Sequence, residues 1–272
     1  MGDRAYVIVL GNEKGGSGKS TTAMQLFVAL ASAGHRVGAL DLDLRQQSFS
    51  RYLDNREAHG RRSSTTPLMP LRIAIEPSSA RLRDEAAAED RKHLTAAVAD
   101  MSRNCDFVIV DTPGAVTPLS EAAHIAADTL ITPINDSLID FDLLGRVDPV
   151  TSKVMGPSVY SEMVWSARQH RAVKREKPID WVVLRNRLSI LESRNKRRVG
   201  AVMADLSRRI GFRIAPGFSE RVIFRELFLS GLTLLDLKED GPIPMTMSHV
   251  AARQEVRDLV KALNLPGVEQ IG

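Results

Sequence analysis

Residues 11–21 read Gly11-Asn-Glu-Lys-Gly-Gly-Ser-Gly-Lys-Ser20-Thr21. A short apolar run precedes this stretch and a helical pattern follows it. Gly15, Gly16 and Gly18 let a backbone turn tightly and aim its N–H groups inward. Joined to a helix N-terminus, such a ring of N–H groups is an anion site. Gly-Lys-Ser at that junction is the arrangement of a phosphate loop. Lys19 would reach the β- and γ-phosphates, and the Ser20 hydroxyl would meet Mg²⁺. The candidate nucleotide contacts here are Gly15, Gly16, Ser17, Gly18, Lys19, Ser20 and Thr21. The general phosphate-loop pattern has glycine where this chain has Glu13, so the strict motif misses by one residue. The competing reading is a glycine-rich strand–helix turn that binds nothing.

Two further apolar runs end in acids. One leads into Asp41-Leu-Asp43, and the other is Phe107-Val-Ile-Val-Asp111-Thr-Pro-Gly114. Carboxylates at the end of a buried strand are unfavourable unless they meet a cation or hydrogen-bond donors, and a metal-bound phosphate supplies both. Asp111 emerges where a strand-end acid meets Mg²⁺ through water. Gly114 permits the close backbone approach that sensing a γ-phosphate requires. The candidate metal shell is Ser20, Asp43 and Asp111, with Asp41 beside it. The plainer alternatives are strand-end acids that cap a helix, and an ordinary Pro-Gly turn.

Lys14 opens Lys-Gly-Gly-x-Gly-Lys-Ser, which resembles the deviant Walker A motif of the ParA/MinD family of P-loop ATPases. The resemblance implies that Lys14 reaches across an ATP-bound homodimer and offsets charge on the partner's phosphates, as an arginine finger in trans does. It casts Asp43 as the residue that helps place the attacking water, with Lys14, Lys19 and Asp43 as catalytic residues. It also gives Asn186, in Leu184-Arg-Asn-Arg187, a hydrogen bond to adenine, although an asparagine in a simple turn fits that position too. Asp41-Leu-Asp-Leu-Arg-Gln46, Thr132-Pro-Ile-Asn-Asp-Ser137, Asp180-Trp-Val-Val-Leu-Arg-Asn-Arg187 and Gly231-Leu-Thr-Leu-Leu-Asp236 are similar to the MipZ branch of that family. That branch implies slow, Mg²⁺-dependent ATP hydrolysis completed by dimerisation. It further implies nonspecific duplex DNA binding by the ATP dimer, recruitment by ParB, and inhibition of FtsZ polymerisation to place the division site. The expected location is cytoplasmic, on the nucleoid and enriched toward the cell poles. A ParA-type chromosome or plasmid partition ATPase is the alternative.

The elements that must position these groups are legible as alternating runs. Short Val/Ile-rich runs at 6–10, 37–40, 107–110, 130–134 and 181–184 do not alternate with polar residues, as in strands buried on both faces of a parallel sheet. Helical stretches at 20–33, 86–102 and 119–127 separate them. The expected fold is a doubly wound α/β domain spanning 1–272, with a polar, Arg-rich surface excursion at about 54–90. The 272 residues are 43% hydrophobic and 26% charged, which excludes wholesale disorder. The single cysteine excludes an intrachain disulfide and a Cys-x-x-Cys zinc site. No apolar run approaches the ~20 residues of a membrane span, and no membrane partner is expected.

Charge is unevenly spread. Residues 185–225 hold eleven Lys and Arg against three acids, a net of +8, which leaves the rest of the chain at −4. On a helix over 191–210, Arg194, Arg197, Arg198, Arg208 and Arg209 fall within about 120° of arc, and the apolar residues fall on a separate arc. Guanidinium forks suit phosphate oxygens. No aromatic residues interleave these arginines, so duplex backbone fits better than stacked single strands. With Arg221, these arginines are the candidate DNA contacts. The competing reading is a solvated basic face.

Overall fold

The computed structural model describes residues 4–63, 66–76, 78–148, 154–188, 194–238 and 245–268. The chain opens with β1 (Tyr6–Leu10), α1 (Lys19–Ser32), β2 (Val37–Asp41), α2 (Ser48–Arg62) and β3 (Leu71–Arg72). It continues through α3 (Arg83–Ser102), β4 (Phe107–Asp111), α4 (Pro118–Ala126), β5 (Thr129–Asn135) and α5 (Leu138–Phe141). Next come β6 (Gly145–Val147), β7 (Val154–Pro157), α6 (Val159–Val173), β8 (Asp180–Asn186) and α7 (Arg194–Leu206). A π-helical turn, Ser207–Gly211, leads to β9 (Arg213–Ala215), α8 (Ile223–Ser230) and α9 (Met247–Leu263).

Seven strands form one parallel sheet in the order β3-β2-β4-β1-β5-β8-β9, and β6 and β7 form a separate antiparallel pair. The uninterrupted apolar runs now have a cause, because alternate residues of each strand enter opposite cores. Val7, Val9, Val108, Val110 and Leu130 meet α3, α4, α6 and α7 on one face. Ile8, Leu10, Phe107, Ile109 and Ile131 meet α1, α2, α8 and α9 on the other. The doubly wound α/β expectation holds.

The order reverses around β1, which lies between β4 and β5. In such sheets the crevice at the carboxyl ends of the strands, at the reversal point, is where ligands bind. The carboxyl ends of β1, β2, β4, β5 and β8 deliver Gly11, Asp41, Asp111, Asn135 and Asn186 to that edge. No helix among the described residues is long and apolar enough to cross a membrane.

The 54–90 stretch is more ordered than its composition suggests. Its first third continues α2, its last part starts α3 at Arg83, and Leu71–Arg72 adds an edge strand. Phe49, Tyr52, Leu53 and Arg56 are the buried positions of α2. Arg56 occupies a place on the apolar stripe where a hydrophobic residue is the usual occupant.

Candidate functional site

The loop from Gly11 to Gly18 is pinned before any ligand arrives. Gly11 N–H donates to Ile131 O at 2.9 Å. The Asn12 side chain donates to Pro133 O at 2.6 Å and accepts from Lys14 N–H at 2.6 Å. Gly16 and Gly18 have φ of 72° and 95°. A Cβ on Gly18 would lie 2.1 Å from Asn186 Nδ2, so glycine is required there by both conformation and space. Gly18 caps α1 without a side-chain hydrogen bond, so the first N–H groups of that 14-residue helix stay available to an anion.

Lys19 is buried and curls back over the loop, donating to Asn12 O at 3.0 Å and Lys14 O at 3.1 Å. Burial lowers its pKa, against the pull of Asp111 and Asp43. The Ser20 hydroxyl donates to Asp111 Oδ2 at 2.5 Å. Asp111 and Asp41 are register partners on β4 and β2, which sets two acids side by side. Burial, then the Asp41 charge, pushes Asp111 up to about 7. Asp111 Oδ1 is buried without a hydrogen-bond partner among the described residues. Asp41 is also raised, chiefly by burial, and accepts from Asp43 N–H at 3.0 Å and Ser50 N–H at 2.8 Å. Asp43 accepts from Gln46 N–H at 3.0 Å.

This is an all-oxygen donor set with one orphaned carboxylate oxygen and two acids in mutual repulsion, which suits a hard divalent cation. Ser20 and Asp111, with Asp41 and Asp43 beside them, would hold Mg²⁺. Bound there, the ion would neutralise phosphate charge.

Lys14 is engaged within its own chain. Its Nζ donates to Asp140 Oδ1 of its own chain at 2.9 Å, and both side chains are partly exposed. Gly114 packs on the same loop, where a Cβ would come within 3.1 Å of Gly15 N. Glu13 has a carboxyl raised by burial, and its Oε1 is buried without a partner among the described residues.

Asn186 is buried and donates to Ser17 O at 2.9 Å, while Arg187 donates to Gly16 O at 3.1 Å. Both therefore hold the glycine-rich loop from the end of β8, and the Asn186 amide expected to meet adenine is spent on Ser17 O. Beside them lies a cavity of about 270 Å³, lined by Gly18, Asn186, Phe218, Phe224 and Phe228 among others. Phe218 and Phe224 face each other with ring centroids 5.4 Å apart. Motif spacing does not reveal these aromatic walls. The available signal is clustering, since three of the eight phenylalanines fall within residues 218–228.

The basic face divides. Val199, Val202, Met203 and Leu206 of α7 are buried, so the expected apolar arc packs on the core. The Arg194, Arg197 and Arg198 side chains lie outside the described residues. Arg208 and Arg209 have side chains 77% and 58% exposed, and both contact Asp205. Arg221 is only 11% exposed and donates to Glu255 at 2.8 Å and Ser248 at 2.8 Å. It lines the same cavity, and its guanidinium is engaged there by Glu255 and Ser248 rather than presented to solvent.

Comparison with known proteins bears on the family and the fold. The sequence profile of one family, described as ATPase MipZ, matches residues 6–267. A putative replication protein A of Sinorhizobium fredii is 27% identical over 175 residues, covering 53% of this chain and 43% of that protein. The chain spans about half the length of the curated relatives it matches. An ATP complex of a McdA variant from Cyanothece superposes with a TM-score of 0.65 at 19% identity, covering 99% of this chain and 100% of that one. The septum site-determining protein MinD with Mg-ADP from Pyrococcus horikoshii gives 0.56 at 16% identity, covering 96% and 98%. These two share the fold. With the family profile matched over nearly its whole length, the chain belongs to the MipZ ATPase family.

Proposed function

We propose that the protein is an ATP-driven dimerising switch that hydrolyses ATP slowly with Mg²⁺, binds duplex DNA nonspecifically as the ATP dimer, and regulates division-site placement by restraining FtsZ polymerisation. ParB is the proposed recruiter of the monomer, and the nucleoid the proposed place of the dimer. The observation that carries the nucleotide half is the convergence of Lys19, Ser20, Asp111 and Asp41 on one strand-end crevice. Lys14 supports the dimer half. Half-exposed at the rim, it can exchange Asp140 for a partner's phosphate, an exchange favoured because phosphate carries more charge than one carboxylate.

ATPase activity per protomer is therefore expected to rise with protein concentration. Lys14→Ala is expected to show a flat, low activity and to sediment as a monomer with ATP. A stable ATP-dependent dimer of Lys14→Ala would remove the trans role.

The DNA half is tested at the π-helical turn. Arg208→Ala with Arg209→Ala is expected to weaken duplex binding in the presence of ATP. The slope of log affinity against log salt should flatten by about 0.9 for each phosphate that is no longer neutralised, with ATPase activity close to wild type. An unchanged salt slope would return these arginines to a solvated face. Arg221 is left out of this test because substituting it would disturb the base cavity.

A further inference from the structure

Helix α2 touches both ends of the nucleotide site. At its start, Ser50 N–H donates to Asp41 Oδ2 at 2.8 Å, on the metal side. From half a turn to nearly two turns on, about 3 to 9 Å along the axis at 1.5 Å per residue, its side chains hold the end of α8, which supplies Phe224 and Phe228 to the base cavity. Asn55 Nδ2 donates to Phe228 O at 3.0 Å. The Tyr52 hydroxyl donates to Leu232 O at 2.7 Å, and the Tyr52 ring meets the Phe228 ring edge-on at 4.8 Å. The fully buried Arg56 donates to Gly231 O at 3.0 Å and, through two bonds of 2.7 and 2.8 Å, to Asp236.

The receiving segment is built for this grip. Phe228 O, which also accepts the capping Gly231 N–H, and the Gly231 and Leu232 carbonyls just past the helix end all take donors from α2. Gly231 adopts φ of 68°, and a Cβ there would lie 1.9 Å from Arg56 N, so no other residue lets the two segments approach. Asp236 also accepts from Thr233 N–H and from the Thr233 hydroxyl, both at 2.7 Å, which fixes the carboxylate for Arg56. The stretch Gly231-Leu-Thr-Leu-Leu-Asp236 thus has a physical role as the socket for Arg56.

We propose that Tyr52, Asn55, Arg56 and Asp236 are positioning residues for the nucleotide base: they fix the α8 wall of the base cavity to the helix that also holds Asp41. The inference rests on the nucleotide reading above. Its consequence is that the base wall and the phosphate end are held in one register. A nucleotide then gains from both ends, whereas inorganic tripolyphosphate uses only one.

The test compares Mg²⁺-ATP with Mg²⁺-tripolyphosphate by calorimetry on the full chain. The variants are Asp236→Asn and the milder pair Tyr52→Phe with Asn55→Ala, which carries the test if Asp236→Asn does not fold. Wild type is expected to bind ATP more tightly than tripolyphosphate. The variants are expected to lose tenfold or more in ATP affinity, to keep tripolyphosphate affinity within twofold, and to raise KM for ATP more than they lower kcat. Native ATP affinity in a folded variant, or equal loss for both ligands, overturns the positioning role. Wild type binding neither ligand overturns the nucleotide reading itself. Wild type binding both equally removes the base cavity from recognition, and the proposal with it.

Discussion

At pH 8 and without nucleotide, Asp111→Asn is expected to melt above the wild type, although it removes a residue from the centre of the site. The reason is linkage. Asp111 is fully buried beside Asp41, and its folded pKa is pushed up to about 7, against about 4 in an unfolded chain. Between those values the native state holds one proton more than the unfolded state. Stability therefore falls as pH rises through that window, by at most ~1.4 kcal/mol per unit, and is level above it. The loss by pH 8 is bounded at about 3–4 kcal/mol, or roughly 5–10 °C in Tm for a chain of this size. Asparagine keeps the shape and can still accept the Ser20 hydroxyl, but it carries no charge. The two proteins should melt alike near pH 4.5 and diverge toward pH 8. Added Mg²⁺ and ATP should raise the wild type and leave the variant nearly unmoved. Coincident melting curves across that pH range would mean that Asp111 is not held as a strained acid, and the cation site would lose its main support.

The frame that carries this site was legible because its signals are local. Each central strand is a run of apolar residues buried on both faces, and the chemistry-bearing groups follow such runs within about ten residues. The parts that were not legible lack that property. β3 and β9 have two and three residues, too few for any period to show. The apolar stripe of α2 runs through Phe49, Tyr52 and Leu53 to a buried arginine. The polar excursion is therefore read as starting at about 54, where the structure has the middle of a helix that runs from Ser48 to Arg62. Partners far apart in sequence were equally hidden. Lys14 meets Asp140, 126 positions away, and Arg221 meets Glu255, 34 positions away. Counting arginines gave a net charge for residues 185–225, but could not show that Glu255 neutralises one of them beside the phenylalanine-lined cavity or that Asp205 sits between two others.

Lys19 and Lys14 stand five positions apart in one loop, and their substitutions are expected to separate binding from assembly. Lys19 is buried, with its ammonium among the carbonyls of Asn12 and Lys14 and within the field of Asp111 and Asp43. A polyanion entering the loop would receive charge-assisted hydrogen bonds from it at about 1.5–3 kcal/mol each. Lys19→Ala is therefore expected to weaken ATP binding by roughly 10²-fold or more, as measured by calorimetry at fixed Mg²⁺. The fold should survive, because Asn12 still anchors the loop to Pro133 and Gly11 to Ile131. Lys14 is part-exposed and bound to Asp140, so Lys14→Ala is expected to hold ATP within a few-fold of wild type while failing to dimerise. The pair discriminates where either variant alone does not. A folded Lys19→Ala protein that binds ATP as the wild type does would show that the loop grips phosphate through backbone N–H groups alone. A Lys14→Ala protein that loses ATP as severely would place its ammonium on the nucleotide of its own chain, in cis.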